Sequence, residues 1–134
     1  MRDVFIVSAV RTPVGRKNGT LSGLNPVALA SIPLREAIQR VDLDPGLVED
    51  VVMGCVTPIG EQGANIGRLA VLNAHWPVTI PSVTLNRMCG SSQQAIHFAA
   101  QAIAAGDMEI AVGAGIECMS RVLMGSDYPE QFYE

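Results

Sequence analysis

Aromatic residues, lysine and charge are all scarce in this sequence of 134 residues. Aromatic side chains account for 4% of the residues and charged ones for 16%, whereas 49% are hydrophobic. This balance excludes a disordered chain and predicts one domain with a mainly aliphatic core. Lys17 is the only lysine, and nine Lys and Arg stand against thirteen Asp and Glu. With a net charge of -4 and no basic cluster, the chain is not expected to bind nucleic acid.

The sequence also has few cysteines and no long apolar run. Cys55, Cys89 and Cys118 cannot form a complete set of disulfides, and their spacing fits no zinc motif. Reduced thiols and no metal site are therefore expected. No stretch approaches the roughly 20 apolar residues that span a bilayer, and no secretory signal is apparent. These features predict a soluble, cytoplasmic protein without membrane association.

Apolar, β-branched runs alternate with segments of helical period along the whole chain. This alternation predicts an α/β fold with a largely parallel sheet. Pro33 is expected to kink the first helix or end its first part, because proline has no amide hydrogen. The predicted strands are Val4–Ala9, Val51–Val56, Val83–Leu85 and Ile110–Gly115, and the predicted helices cover 25–41, 65–74 and 89–105.

Cys89 carries the strongest chemical signal, because it lies where a short strand gives way to a long helix. Free amides at a helix start stabilise a thiolate, and Gly90 leaves the sulfur accessible. Buried cysteines are also common core residues, so placement alone leaves a structural and a nucleophilic interpretation open. The alanine-rich run from Ala95 to Ala105 predicts that this helix is buried on several faces and has no evident solvent side.

The other titratable residues offer no obvious base for Cys89. His97 follows it by eight residues on the same predicted helix, about 12 Å away by the helical rise. His75 lies in a proline-bounded turn and is expected to be exposed. Structural roles are predicted for both histidines. Glu109 and Glu117 are expected to cap or form ion pairs, because neither has a partner carboxylate for acid catalysis.

The segment Asn86–Ile96, NRMCGSSQQAI, resembles the active-site segment of the thiolases, the acetyl-CoA acyltransferases. Cys118 stands where that family usually has serine, so it is not expected to be the second catalytic cysteine. Collinear stretches extend the resemblance over nearly the whole chain: 7–15, 52–56, 65–74, 100–107 and 115–121.

The resemblance implies the N-terminal half of a layered α-β-α-β-α architecture, incomplete in this chain. Residues 1–120 are expected to form the half-domain that carries the nucleophile, and residues 121–134 the beginning of an inserted loop domain. By the same resemblance, the catalytic histidine and the second catalytic cysteine belong to the C-terminal half. The half sheet is expected to expose apolar surface, so that the isolated chain aggregates or binds a partner.

The resemblance also implies the chemistry of an acetyl-CoA C-acyltransferase. Cys89 is the expected acyl-thioester nucleophile in cleavage of a 3-ketoacyl-CoA to acetyl-CoA and a shortened acyl-CoA, or in the reverse Claisen condensation. Coenzyme A is then a substrate, no cofactor is tightly bound, and residues that bind CoA are not identified. Fatty-acid metabolism, including β-oxidation, and a homodimer or homotetramer are expected. The residues expected to support the nucleophile loop are Asn86, Gly90, Ser91, Asn65 and Arg68.

Two other functions remain open at this stage. A ketoacyl synthase also uses a cysteine at a helix start, although the residues around Cys89 differ from that family's. A thiolase-like piece could also be non-catalytic, or be one subunit of a split enzyme that needs a C-terminal partner. By the resemblance, the chain alone is expected to be inactive.

Overall fold

Three parallel strands and three α-helices make up the fold in the computed structural model, which describes residues 2–129. This confirms the predicted α/β class. The strands are β1 (Asp50–Gly54), β2 (Ser82–Leu85) and β3 (Ala111–Gly115). The helices are α1 (Pro26–Gln39), α2 (Ile66–Asn73) and α3 (Ser91–Ala105), with short 3-10 turns at Pro45–Leu47 and Gly60–Gln62.

The central strand is β1, which pairs in parallel with β2 on one side and β3 on the other. Its residue Met53 lies opposite Thr84 and Ala114. Pairing continues just past the strand, because the amide of Cys55 donates to the carbonyl of Leu85 at 3.0 Å. The carboxyl ends of all three strands therefore meet at one edge of the sheet.

Helices cover both faces of the sheet. Neighbouring strand residues point to opposite faces, and Met53 meets α2 whereas Gly54 meets α3. The helix α1 packs on α2. The main core lies between these two helices and the sheet, with fully buried side chains that include Leu34, Val51, Met53, Ile66 and Val71.

Glycines bring α3 directly onto the backbone of β1 and β3. A Cβ atom at Gly113 would lie 2.5 Å from Ile96 Cα, and one at Gly115 would lie 2.5 Å from Ser92 Cβ. A Cβ atom at Gly54 would collide with the backbone of Ser91 and Ser92. A strand without side chains at these positions allows this close approach of the helix.

Only one face of α3 is buried, so the expectation of burial on several faces was wrong. Ala95 and Ala99 pack against the sheet, whereas Ile96 is 48% exposed and Phe98 is 44% exposed. The sheet covers the inner face, and nothing in residues 2–129 covers the outer one to the same extent. The many alanines of α3 therefore reflect close packing on one face of the helix.

The first helix begins as predicted, because Asn25 accepts a hydrogen bond from the amide of Val27 at 2.8 Å and Pro26 takes the first position. Pro33 does not end this helix, which continues to Gln39. Proline removes only one backbone hydrogen bond, and the buried Leu34 holds the helix on the core. The expectation that Pro33 ends the first part of the helix was therefore wrong.

The predicted first strand, Val4–Ala9, is not part of the sheet. In the described chain, no backbone hydrogen bond joins residues 4–9 to β3, and a cleft of 1010 Å³ separates the two segments. Phe5 and Ile6 are 76% and 80% exposed. The apolar pattern of the segment is that of a strand, but a strand also needs a neighbour about 4.8 Å away, and none is present.

Residues 121–129 form turns, and an ion pair ties their start to the body of the fold. Arg121 contacts Glu61 through two hydrogen bonds, the longer of them 2.9 Å. The remainder of the predicted loop-domain segment, residues 130–134, lies outside the described residues. Within residues 2–129, no helix is long and apolar enough to cross a bilayer.

Candidate active site

Cys89 lies in the tight turn that joins β2 to α3, at the carboxyl edge of the sheet. The preceding residue, Met88, has a φ of 47°, a conformation uncommon for a residue with a side chain. The helix itself begins at Ser91, with Gly90 as its N-cap. Cys89 is exposed, whereas Cys55 and Cys118 are only 1% and 7% exposed.

Two side chains hold this turn from opposite sides. Asn86 accepts a hydrogen bond from the amide of Met88 at 2.8 Å and donates to the carbonyl of Val56 at 2.7 Å. Ser91 accepts from the amide of Arg87 at 2.9 Å and donates to the carbonyl of Met88 at 2.6 Å. Asn86 and Ser91 therefore hold the turn of Cys89, and Gly90 lies within it. That these residues support a nucleophile stays a prediction.

Asn65 and Arg68 lie farther from Cys89 and contact β2 and the segment that precedes it. Asn65 caps α2, donates to the carbonyl of Ser82 at 2.8 Å and accepts from the hydroxyl of Thr84 at 2.8 Å. Arg68 donates to the carbonyls of Val78 and Ile80 in the turn before β2. Both residues hold β2 and its approach, and neither bonds to the turn of Cys89.

We expect Arg68→Met to destabilise the protein by about 2 kcal/mol, because two carbonyls lose a charged donor that is partly buried. Urea unfolding of the variant and the wild type measures the difference. Arg40→Met is the matched control, since Arg40 forms only an exposed pair with Glu36 on α1. An equal, small loss in both variants would contradict the bracing role of Arg68.

A cleft of 470 Å³ opens beside Cys89. Its lining includes Arg11, Met88, Ile96 and Glu117. Neither His75 nor His97 lines it, so the structure brings no imidazole to the sulfur. His75 is exposed, as predicted.

Glu117 is the site residue whose contacts the sequence did not reveal. Its carboxylate accepts from the amide of Val56 at 2.7 Å and from the side chain of Gln62 at 2.8 Å. The Cys55 thiol adds a longer contact to the same carboxylate at 4.0 Å. Of the two roles expected, capping or an ion pair, Glu117 thus accepts from a backbone amide, whereas Glu109 pairs with Arg2 at 3.8 Å. The one available signal was an acidic residue two positions after a predicted strand.

Gln62 and Cys55 complete this polar cluster. Gln62 is fully buried, accepts from the amide of Cys118 at 2.6 Å and donates to the carbonyl of Thr57 at 2.9 Å. Burial, together with the nearby charge of Glu117, raises the pKa of the Cys55 thiol to about 11. Cys55 therefore carries almost no thiolate near neutral pH.

The described part of the chain offers no set of metal ligands. Within residues 2–129, no group of three His, Cys, Asp or Glu side chains could hold a metal ion.

Comparisons with known proteins agree on one family. A family description, "Thiolase, N-terminal domain", matches residues 4–130. The steroid 3-ketoacyl-CoA thiolase FadA6 of Mycobacterium tuberculosis is 45% identical over 126 residues, which cover 94% of this chain and 31% of that protein. The β-ketoadipyl-CoA thiolase of Pseudomonas putida is 47% identical over 124 residues, which cover 90% of this chain and 30% of that protein.

A solved structure shows the same fold. The acetyl-CoA acetyltransferase of Bacillus anthracis superposes with a TM-score of 0.81 at 39% sequence identity. The match covers 86% of this chain and 29% of that one. The chain thus corresponds to an N-terminal part, about 30% of the length of these relatives.

Proposed function

The chain belongs to the thiolase family, and on that premise we propose that it carries the nucleophile of an acetyl-CoA C-acyltransferase. In this proposal, residues 1–120 form the half-domain that carries the nucleophile, and residues 121–134 begin a loop domain. The observation that carries it is the position of Cys89. This cysteine is exposed in a cleft, on a turn held by Asn86 and Ser91, while the other two cysteines are buried.

The proposed reaction begins with attack of the Cys89 thiolate on C3 of a 3-ketoacyl-CoA. The C2–C3 bond then breaks, its electron pair passes to C2, and C2 takes a proton to give acetyl-CoA. The shortened acyl group stays on sulfur as a thioester until the thiolate of free CoA attacks it. Acyl-CoA then leaves and the Cys89 thiolate is restored. Sulfur suits both steps, because it is a strong nucleophile and a good leaving group from a thioester.

The turn of Cys89 suits this chemistry because its backbone is held rigidly. Hydrogen bonds on both sides of the turn fix its backbone, and α3 rests on the sheet with no side chain between them at Gly54 and Gly113. A nucleophile mounted on such a support keeps its position when a substrate enters the cleft. The base and the proton donor that the reaction needs are proposed to come from the part of a thiolase that this chain does not contain.

The proposed substrates are CoA thioesters of 3-keto acids as a class. The matched relatives bear the names of a steroid 3-ketoacyl-CoA thiolase and β-ketoadipyl-CoA thiolases. Those names span more than one pathway, so the proposal is broader than the β-oxidation expected from the sequence. Assembly of the intact enzyme as a homodimer or homotetramer is part of the proposal.

We expect brief iodoacetamide treatment at neutral pH to alkylate Cys89 at least about 100-fold faster than Cys55 or Cys118, because buried thiols react only after local opening. Peptide mass spectrometry ranks the three sites. Cys55 is expected to stay unreacted until the pH approaches 11, where its own thiolate forms. In Cys89→Ser the fast phase should vanish. Preferential labelling of Cys55 or Cys118 would refute the assignment of the nucleophile.

A further inference from the structure

The polar cluster around Glu117 lies next to the turn of Cys89, and the proposed acyl transfer does not use it. Glu117 follows β3 by two residues and lines the same 470 Å³ cleft as Cys89. Both of its carboxylate oxygens are occupied, one by the amide of Val56 and the other by the side chain of Gln62. The cluster therefore joins β3 to the segment that follows β1.

The contacts of Glu117 require a carboxylate. An ionised carboxylate only accepts hydrogen bonds, and here both partners are donors. Gln62 cannot turn its amide over, because its oxygen accepts from the amide of Cys118 and its nitrogen also donates to the carbonyl of Thr57. A glutamine at position 117 would place one N–H group against another. Glutamate is thus the residue that satisfies this site completely.

Val56 also contacts the side chain that holds the nucleophile turn. Its carbonyl accepts a hydrogen bond from the side chain of Asn86 at 2.7 Å. The side-chain oxygen of Asn86 accepts from the amide of Met88, which precedes Cys89 and has a positive φ. A continuous series of hydrogen bonds therefore runs from Glu117 through Val56 and Asn86 to Met88.

We propose that Glu117 is a positioning residue for Cys89: its carboxylate fixes Val56, and Val56 fixes the Asn86 side chain that holds the nucleophile turn. The proposal rests on the proposed function in that it takes Cys89 as the nucleophile. No step of the proposed reaction assigns a proton to Glu117, whose carboxylate is engaged by the Val56 amide and the Gln62 side chain. Glu117 acts through the turn and does not touch the reacting atoms.

The test measures two properties of the 134-residue chain in four variants: Glu117→Met, Glu117→Gln, Asn86→Ala and the double variant Asn86→Ala/Glu117→Met. Amide hydrogen exchange reports whether the hydrogen bond of Met88 holds, and the iodoacetamide rate constant reports the reactivity of Cys89. In Glu117→Met we expect Met88 exchange to rise about tenfold and Cys89 alkylation to fall by a similar factor. Glu117→Gln keeps one acceptor, so changes of about threefold are expected. When Asn86→Ala is already present, adding Glu117→Met should change the alkylation rate less than about twofold, because the hydrogen bond between Asn86 and Val56 is already lost.

Two controls separate positioning from general stability. Val71→Ala removes a buried core contact on α2 and should lower stability without changing either measurement. Glu109→Gln removes an exposed carboxylate and should change nothing. Unchanged Met88 exchange in Glu117→Met would overturn the proposal, and so would full additivity with Asn86→Ala or an alkylation change without an exchange change. A Cys89 that is slow in the wild type contradicts the proposed function instead, and exchange at Met88 still tests the coupling.

Discussion

Residues 1–134 alone are expected to cleave acetoacetyl-CoA at no more than the background rate, even with a reactive Cys89. Thiolysis needs a base and a proton donor, and neither His75 nor His97 lines the cleft of Cys89. Each positioned acid or base is worth about 10² to 10⁴ in rate. The absence of two such groups predicts a loss of at least about 10⁴. A spectrophotometric assay of acetoacetyl-CoA loss measures the rate.

The same assay becomes decisive when a partner is added. The purified chain is mixed with a separately made C-terminal part of a relative such as the β-ketoadipyl-CoA thiolase of Pseudomonas putida. Turnover on mixing, absent when the chain carries Cys89→Ala, would support a nucleophile-bearing part that needs its complement. Association without turnover would favour the non-catalytic alternative. Robust turnover by the chain alone would contradict our account of where the base resides.

Gly54→Ala is expected to produce a larger loss of stability than the other substitutions considered, about 3 kcal/mol. The new methyl group would meet the backbone of Ser91 and Ser92, and backbone atoms cannot rotate away as a side chain does. The start of α3 must then move off β1 and carry the turn of Cys89 with it. We therefore expect the alkylation preference for Cys89 to weaken in the same variant. Urea unfolding and peptide mapping measure the two effects.

Gly23→Ala provides the matched control. A Cβ atom at Gly23 would have no neighbour within 4 Å, so its stability should stay within about 0.5 kcal/mol of the wild type. An unfolding midpoint in Gly54→Ala equal to that of the control would show that α3 does not rest on β1 as closely as described.

Local patterns predicted most of the fold. The predicted helices 25–41 and 89–105 start and end within two residues of α1 and α3, whose caps Asn25 and Gly106 are local in sequence. The apolar runs also placed β1, β2 and β3 to within one or two residues. The segment Val4–Ala9 shows the limit. Its composition indicates a strand, but pairing depends on a neighbour that composition cannot supply.

The candidate site was likewise predictable only where its residues are close together in the sequence. Cys89, Gly90 and Ser91 could be singled out because they sit together at a strand-to-helix junction. The contacts of Glu117 with Gln62 and Val56 could not, since they join residues 55 and 61 positions apart. Hydrogen bonds across such distances arise from the order of strands in the sheet, which one sequence does not specify.

The contact between α3 and the sheet also has a consequence for conformational entropy. At Gly54, Gly113 and Gly115 the sheet presents backbone and no side chain, so the helix docks there without restricting any rotamer on the strands. The loss of freedom falls instead on glycine backbones, which are unusually mobile in the unfolded chain. Once folded, the interface has few alternative packings to sample. The position of the Cys89 turn above it should therefore vary little with temperature until the domain itself unfolds.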